Sequence, residues 1–384
     1  MEMKKVRLGD IGNIITGSTP SKKNPDNYGN YALWIKPTDI NPEEKYTRVV
    51  EEMFSEKAAK DCQTRLIPAK SICVPCIGTV GTKLTMTPCD CFTNQSINSI
   101  IPNEEYDNDY VYYLLLNFLP NLKSINKGTA SGRDFIAKSA FEDIEIMVHK
   151  DLKNQQIIGK ILSAYDDIID NCKRQIALLE EAAQRLYREW FIDMRFPSYE
   201  STSYAENGLP EDWELLNIGS VCDIKTGKKD ANFGGSVGLY PFFTCAQEPI
   251  RANSFSFDTH AIILAGNGDF SVKMYRGKFE AYQRTYVITS TNTELIWIAY
   301  FSIKNNMAKL TAGASGSTIK FLTKGMIEEI NCIKPSSSII SKFNVIVSTY
   351  YEQIEKIKDI KYNITEIKNI ILPRLISGQI EINE

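Results

Sequence analysis

The sequence predicts an α+β protein: two globular α/β domains in internal repeat, separated by two long helices forming an antiparallel coiled coil. Three observations carry this expectation. Between Asn154 and Phe191, apolar or near-apolar residues recur at Ile158, Leu162, Tyr165, Ile169, Cys172, Ile176, Leu179, Ala183, Leu186 and Trp190. Their steps alternate between four and three, a heptad seam rather than the broader stripe of a globular helix. A second seam runs from Phe343 to Leu372 through Val347, Tyr350, Ile354, Ile357, Ile360, Ile364, Ile367 and Ile371. Its one three–three step, Ile354–Ile357–Ile360, overwinds a coil locally without ending it. The segments preceding the two seams also share one ordered set of motifs. At about 1.5 Å per residue the first helix spans roughly 50 Å, and a seam of that length needs a partner.

A chain of 384 residues has room for two or three domains with real cores. Hydrophobic content of 43% and charged content of 24% place it among ordinary globular chains rather than disordered ones. The longest apolar stretches, Val111–Leu119 and Leu295–Ile303, are too short to span a bilayer, and no apolar run follows the opening charges. No membrane partner is therefore expected. Nine cysteines, an odd number, favour a reducing cytoplasm over a disulfide framework, so a cytoplasmic location is expected.

Taken in order, Val6–Thr16 opens the first domain with strand-like or helical turns, and Gly17-Ser18-Thr19-Pro20 breaks it. Tyr31–Ile35, Leu66–Pro68, Ser71–Ile77 and Phe92–Ile101 read as strands, the last with polar Thr93-Asn94-Gln95-Ser96 in mid-run. A helix is expected from about Asp107 to Leu119, and strand-like Ile144–Val148 precedes the long helix. Phe196 to Asn207 reads as a linker, after which Gly208-Leu209-Pro210-Glu211-Asp212-Trp213 opens the second domain.

The second half then repeats the first. Ile11-Gly12 answers to Ile218-Gly219, Thr16-Gly17 to Thr226-Gly227, Gly78 to Gly266 and Gln95 to Gln283. The helix at Tyr110–Leu116 answers to Glu294–Tyr300, Thr129–Gly132 to Gly313–Gly316, and Glu142-Asp143-Ile144 to Glu328-Glu329-Ile330. Leu186-Tyr187-Arg188 answers to Leu372-Pro373-Arg374. A shared glycine or serine is cheap, but the conserved order is not. The expected boundaries are 1–150 for the first domain, 151–196 for the first helix, 197–338 for the second domain, and 339–384 for the second helix and tail.

Catalytic signatures are missing. His149 and His260 stand beside no Ser or Cys nucleophile motif. Gly78–Lys83 (GTVGTK) lacks the four-residue gap and the Lys-Ser/Thr pair of a phosphate loop, and reads as a strand-ending turn. No Asn-Pro-Pro-aromatic or Asp-Pro-Pro-aromatic run presents an amino group to a methyl donor. Cys73, Cys76, Cys89 and Cys91 could hold tetrahedral zinc. However, cysteines three apart in a strand face opposite sides, and Ala261 and Leu264 stand at the first pair's places in the second half. Buried free thiols are the expectation, with no metal, no catalytic residue and no cofactor in this chain.

Charge distribution is more informative than the net −3. Val111–Arg133 contains no acid but carries Lys123, Lys127 and Arg133. Phe301–Ile327 likewise has none, while supplying Lys304, Lys309, Lys320 and Lys324. These stretches are equivalent in the repeat, and their Gly, Ser and Thr can approach phosphate oxygens. Lys273, Arg276, Lys278 and Arg284 add a further basic group. Contact with a nucleic acid is therefore expected. The expected contacts in the first domain are Lys36, Thr38, Lys83, Gln95, Lys123, Lys127, Ser131 and Arg133. In the second they are Lys228, Asn267, Lys273, Arg276, Gln283, Arg284, Lys309, Ser315 and Lys320. Gln95 and Gln283 stand out because Gln can bond adenine bidentately, although each could instead bond within its own sheet. A scaffolding protein with paired ligand-binding domains and a zinc-dependent enzyme are the alternatives from other classes.

The arrangement resembles the DNA-specificity subunit of type I restriction–modification enzymes over essentially the whole chain. The stretches that carry the resemblance are Gly208–Trp213 (GLPEDW), Gly78–Lys83 with Asn94-Gln95-Ser96, Gln184–Met194 (QRLYREWFIDM) and Leu372–Ile380 (LPRLISGQI). The N-terminus lacks a counterpart of GLPEDW, and the cysteine cluster is a second departure. The resemblance implies two target-recognition domains, each reading half of a bipartite DNA sequence, with the helix pair setting the gap. It implies two modification subunits that dock on the helices and bring S-adenosylmethionine-dependent adenine methylation. Restriction subunits would add ATP- and Mg-dependent translocation and cleavage, leaving this chain non-catalytic.

Overall fold

The computed structural model describes residues 2–125, 134–312 and 321–380. They form two compact units, Met1–Gln175 with Ile357–Glu384, and Ile176–Lys356. Each unit thus holds one globular segment and one part of each long helix.

In the first unit, Met3–Arg7 (β1) pairs antiparallel with Glu145–His149 (β8), so the segment's two ends close on each other. The one-turn helix Leu8–Ile11 buries its two apolar ends and hands the chain to Gly12–Thr16 (β2). Ala32–Ile35 (β3), Ile72–Pro75 (β4), Thr85–Met86 (β5), Phe92–Thr93 (β6) and Ile97–Pro102 (β7) follow. The main sheet has the order β2-β7-β4-β5, antiparallel throughout, with Thr16 opposite Asn98 and Val74 opposite Asn98 on its other side. β3 lies parallel to β6 over a small core in which Trp34, Phe54 and Phe92 stack at 5.3 and 5.0 Å. The expected strand Phe92–Ile101 is two strands, divided where Asn94-Gln95-Ser96 turns. Leu66–Pro68 contributes only a bridge from Ile67 to Cys91.

Helix α1, Asn108–Ile125, is the centre of this unit, with Tyr110, Val111, Tyr113, Leu114 and Leu115 all buried. It outruns the expected end before Pro120. Leu119 and Leu122 join the same apolar cluster, and that burial outweighs the one hydrogen bond a proline forfeits.

The second unit rebuilds the plan. Glu214–Asn217 (β9) closes on Asn331–Lys334 (β15) as β1 does on β8. Cys222–Thr226 (β10), Tyr240–Phe243 (β11), Phe257–Ala265 (β12), Val272–Ala281 (β13) and Thr285–Ser290 (β14) make the sheet. Its order is β10-β14-β12-β13-β11, extended by Ile250–Ala252, with β11 parallel to β13. Strand for strand this matches β2-β7-β4 with the parallel β3–β6 pair, so the repeat read from scattered motifs is a repeat of topology. The difference is length: β12 and β13 form a hairpin of nine and ten residues, where β4 and β5 have four and two. Helix α3, Ile296–Ala312, is buried on nearly all sides of its first half, like α1.

The two long helices are Leu152–Phe191, numbered α2 here, and Ser337–Ile376, α4, forty residues each. Each spans about 60 Å. In the first unit Asp166 of α2 meets Lys368 of α4, and Ile158 and Leu162 share a cluster with Leu372, Leu375 and Ile376. In the second unit Phe343 of α4 packs on Trp190 and Phe191 of α2, with ring centroids 5.9 and 4.8 Å apart. Partner numbers fall as position along α2 rises, which is antiparallel pairing.

Of the expected seam, Ile158, Leu162, Ile169, Val347 and Ile354 are buried, and Tyr165, Ile176, Leu179, Leu186, Tyr350, Ile357, Ile364 and Ile371 are half-buried. Ile360 and Ile367 are 50% and 42% exposed. After the three–three step the inward stripe passes instead through Ile364, Lys368, Leu372 and Leu375, which are half-buried or buried. An overwound step rotates everything beyond it, so Ile367 turns outward while Ile364 and Ile371 stay half-buried. Among the described residues, no helix is long and apolar enough to cross a membrane.

Candidate nucleic-acid interface

In the second unit, four segments far apart in sequence meet at one end of the sheet. β10 ends at Thr226, and Gly227 donates its N–H to Thr285 O at 3.1 Å. A Cβ on Gly227 would lie 2.0 Å from Ala281 O, so only glycine lets the two backbones pass. Gln283 donates its N–H to Lys229 O at 3.0 Å, and Gly266 donates to Arg284 O at 2.9 Å. Leu322 donates to Gly266 O at 2.8 Å, and Asn267 bridges to Phe321. The segments enclose a cleft of about 340 Å³ lined by Thr226, Gly266, Gln283, Arg284, Tyr286 and Phe321. The expected contacts Lys228, Asn267, Gln283 and Arg284 thus converge, and Lys228, Gln283 and Arg284 are exposed.

The first unit assembles the same parts. Gly17 passes Thr93 so closely that a Cβ would stand 2.2 Å from its carbonyl oxygen, and Ser18 donates to that oxygen at 2.9 Å. Cys76 donates to Ser96 O at 2.8 Å, Gly78 to Asp134 O at 2.9 Å, and Ile136 to Cys76 O at 2.9 Å. Ile77 bridges to Phe135 as Asn267 does to Phe321, so Cys76, and not the expected Gly78, stands at the place of Gly266, while Gly78 answers to Gly268, both glycines having positive φ. Gln95 is exposed at this edge, where the Thr19 hydroxyl donates to its side-chain oxygen. That bond leaves the Gln95 amide N–H groups pointing to no described partner.

The remaining candidates divide by what their charges already do. Lys36 is committed: its ammonium donates to Glu51 at 2.7 Å and Glu52 at 2.8 Å, and its side chain is only 13% exposed. Burial works against that charge, but the two carboxylates outweigh it and hold the Lys36 pKa above the ordinary lysine value. Lys83 donates to Ile40 O at 3.2 Å, and Lys273 to Ala246 O at 2.9 Å and the Ser271 hydroxyl at 2.5 Å. These three lysines hold structure. Thr38 is exposed on the turn Pro37–Asp39. Lys123 and Lys309 are exposed in the last turns of α1 and α3, equivalent helix ends where a cation also suits the helix dipole. Arg276 is exposed opposite His260 in the β12–β13 ladder. Burial, and then the Arg276 charge, hold the His260 pKa below the usual histidine value. Lys127, Ser131, Arg133, Ser315 and Lys320 lie outside the described residues.

Two residues at this edge escape a reading based on charge and hydrogen bonding. Phe135 and Phe321 are 36% and 44% exposed at matching positions, each just beyond the basic, glycine-containing stretch. The available signal was their shared place in the repeat. Of the cysteine cluster, Cys76 takes part in the edge, through its backbone. Cys73, Cys76 and Cys91 are buried and Cys89 is exposed. Burial pushes the Cys73 and Cys76 thiols up to about 12, so neither is disposed to become the thiolate that zinc needs. Among the described residues, no group of three or more His, Cys, Asp or Glu is arranged to hold a metal ion. His149 is buried and bonds Leu375 O through Nε2 at 2.8 Å, tying β8 to the end of α4.

Comparison with known proteins places this geometry. The family model described as "Type I restriction modification DNA specificity domain" matches residues 1–181 and again 210–366. The MjaIX specificity subunit of a type I restriction enzyme, from Methanocaldococcus jannaschii, is 26% identical over all of this chain and 94% of its own length. The EcoDI specificity subunit of Escherichia coli is 43% identical over 39% of this chain and 34% of that protein. The crystal structure of a type I restriction–modification S subunit from M. genitalium superposes with a TM-score of 0.61 at 15% identity, covering 100% of this chain and 97% of that one. The last shows a shared fold.

Proposed function

The chain belongs to the type I restriction modification DNA specificity family, matched by that family twice along its length, and from this premise we propose that it is the sequence-specific DNA-binding subunit of such a complex. Each globular segment reads one half of a bipartite target, and the paired helices fix the spacer between the halves. The observation that supports this most is the duplicated edge: glycine-threaded segments at Gly17 and Gly227 present Gln95 and Gln283 at matching places in two units.

The physical division of labour follows from the side chains. Exposed Lys123, Lys228, Arg276, Arg284 and Lys309 neutralise phosphates and orient the duplex without reading it, as would Lys127, Arg133 and Lys320. Gln95, Asn267, Gln283 and the hydroxyls of Thr38, Ser131 and Ser315 discriminate base edges. Joining the two readers makes the second docking intramolecular, so two modest half-sites combine into one selective target.

The working boundaries remain 1–150 and 197–338 for the readers and 151–196 and 339–384 for the helices. The helices also dock two modification subunits, which supply S-adenosylmethionine-dependent adenine methylation. Restriction subunits supply ATP- and Mg-driven cleavage, and this cytoplasmic chain supplies none of the chemistry. Sequencing methylated adenines in cells with and without the chain tests the reading. A bipartite motif should vanish with it, and a methylome that does not change would defeat the proposal.

A further inference from the structure

We infer that Phe135 and Phe321 are specificity residues, each packing its ring on the 5-methyl group of a thymine whose paired adenine is bonded by the neighbouring glutamine, Gln95 or Gln283. The inference rests on the DNA-reading function proposed above and assigns the base pair that each edge selects.

A single exposed aromatic ring needs no explanation. Two at the same topological position in both units, each on the candidate reading edge, are a different matter. Their backbones are held from both sides. Phe321 bridges to Asn267 while the next residue donates to Gly266 O at 2.8 Å. Phe135 bridges to Ile77 between Asp134, which accepts from Gly78 at 2.9 Å, and Ile136, which donates to Cys76 O at 2.9 Å. The rings therefore spring from fixed points. In the second unit Phe321 and Gln283 line the same cleft. There the other large apolar groups are otherwise engaged: Leu322 is buried, and the Tyr286 hydroxyl donates to Leu322 O at 2.9 Å.

The chemistry of an A·T pair matches this combination. In the major groove adenine offers N7 and N6, which one Gln amide can bond together, and thymine offers O4 and a methyl group. An apolar surface beside the amide completes that pattern, and a G·C or C·G pair would leave the ring against a polar amino group or an empty edge. Each unit, by this assignment, demands at least one A·T pair in its half-site.

The test uses the complete complex with its modification subunits, on the target duplex identified by methylation mapping. Replacing thymines by uracil one at a time removes only the methyl group. One such position in each half should weaken binding about fourfold, the worth of one buried methyl. Phe321→Ala should lose the same factor on the thymine duplex and erase the uracil penalty in one half only, and Phe135→Ala should do so in the other. Phe321→Leu, which stays apolar, should retain part of the discrimination and unfold at the wild-type temperature. A half-site without an A·T pair, a target indifferent to uracil throughout, or a uracil penalty that survives both alanine variants would overturn the inference. The last result would assign the methyl groups to other side chains. Loss of all sequence preference in the wild-type complex would instead defeat the DNA-reading function itself.

Discussion

The contact that joins three helices of the first unit is an ion pair at a seam position, and its removal has a calculable effect. Lys368 of α4 donates to the Asp166 carboxylate of α2, and both side chains are only 14% exposed. The other carboxylate oxygen accepts the Tyr113 hydroxyl of α1 at 2.6 Å, and Lys368 stands 5.7 Å from the Tyr113 ring centroid. Lys368→Met keeps the length and apolar stem of the side chain but strands a carboxylate between helices. Breaking a fully buried pair costs about 3–5 kcal/mol, and partial solvent access reduces this to about 2 kcal/mol. For a unit of this size that is a fall of about 4–8 °C in its unfolding midpoint by calorimetry. Lys368→Met with Asp166→Leu replaces the pair by apolar side chains and should recover most of the loss. An unchanged midpoint for Lys368→Met, or a double variant whose loss is the sum of the two single ones, would refute the reasoning.

Other outcomes follow from the edge chemistry. Gly227→Ala forces a Cβ to within 2.0 Å of a backbone oxygen and should cost several times the ~1 kcal/mol of a typical substitution, with recognition of one half-site lost first. Methylation mapping of that variant, beside its melting curve, shows both effects. Lys123→Ala and Lys309→Ala should each weaken binding on any duplex and lower the slope of log affinity against log salt by about 0.9, whereas Lys36→Met should leave the slope alone and reduce stability. The depressed His260 pKa means that the folded second unit favours neutral imidazole. Its contribution is full above the ordinary histidine pKa and is lost as pH falls through the lower folded value. Melting of the second unit should therefore weaken from pH 7.5 to pH 5 in the wild type and less in His260→Gln.

Much of the architecture was legible in the residues. Nine alternating steps define α2, and paired glycines mark each backbone crossing, because nothing larger fits beside Thr93 or Ala281. The last part of the α4 seam was harder to read. Lys361 and Lys368 take half-buried positions there, and a lysine at a seam position becomes intelligible only once Asp166 is seen opposite. Lys36 shows the converse. Its sequence neighbours gave no sign that Glu51 and Glu52 would fold back to neutralise it, since long-range ion pairs leave no spacing to detect. Phe135 and Phe321 were overlooked for a third reason: an isolated phenylalanine reads as core until its exposure is known.

The claim that paired helices set the distance between two readers of DNA can be measured directly. The compact units divide α2 between Gln175 and Ile176 and α4 between Lys356 and Ile357. Inserting one heptad at both places keeps the apolar phase and lengthens each rod by about 10 Å, which is about three base pairs of duplex. Mapping methylated adenines in cells carrying this variant should return the same two half-sites with a spacer about three base pairs longer. The same half-sites at the original spacing would contradict the account.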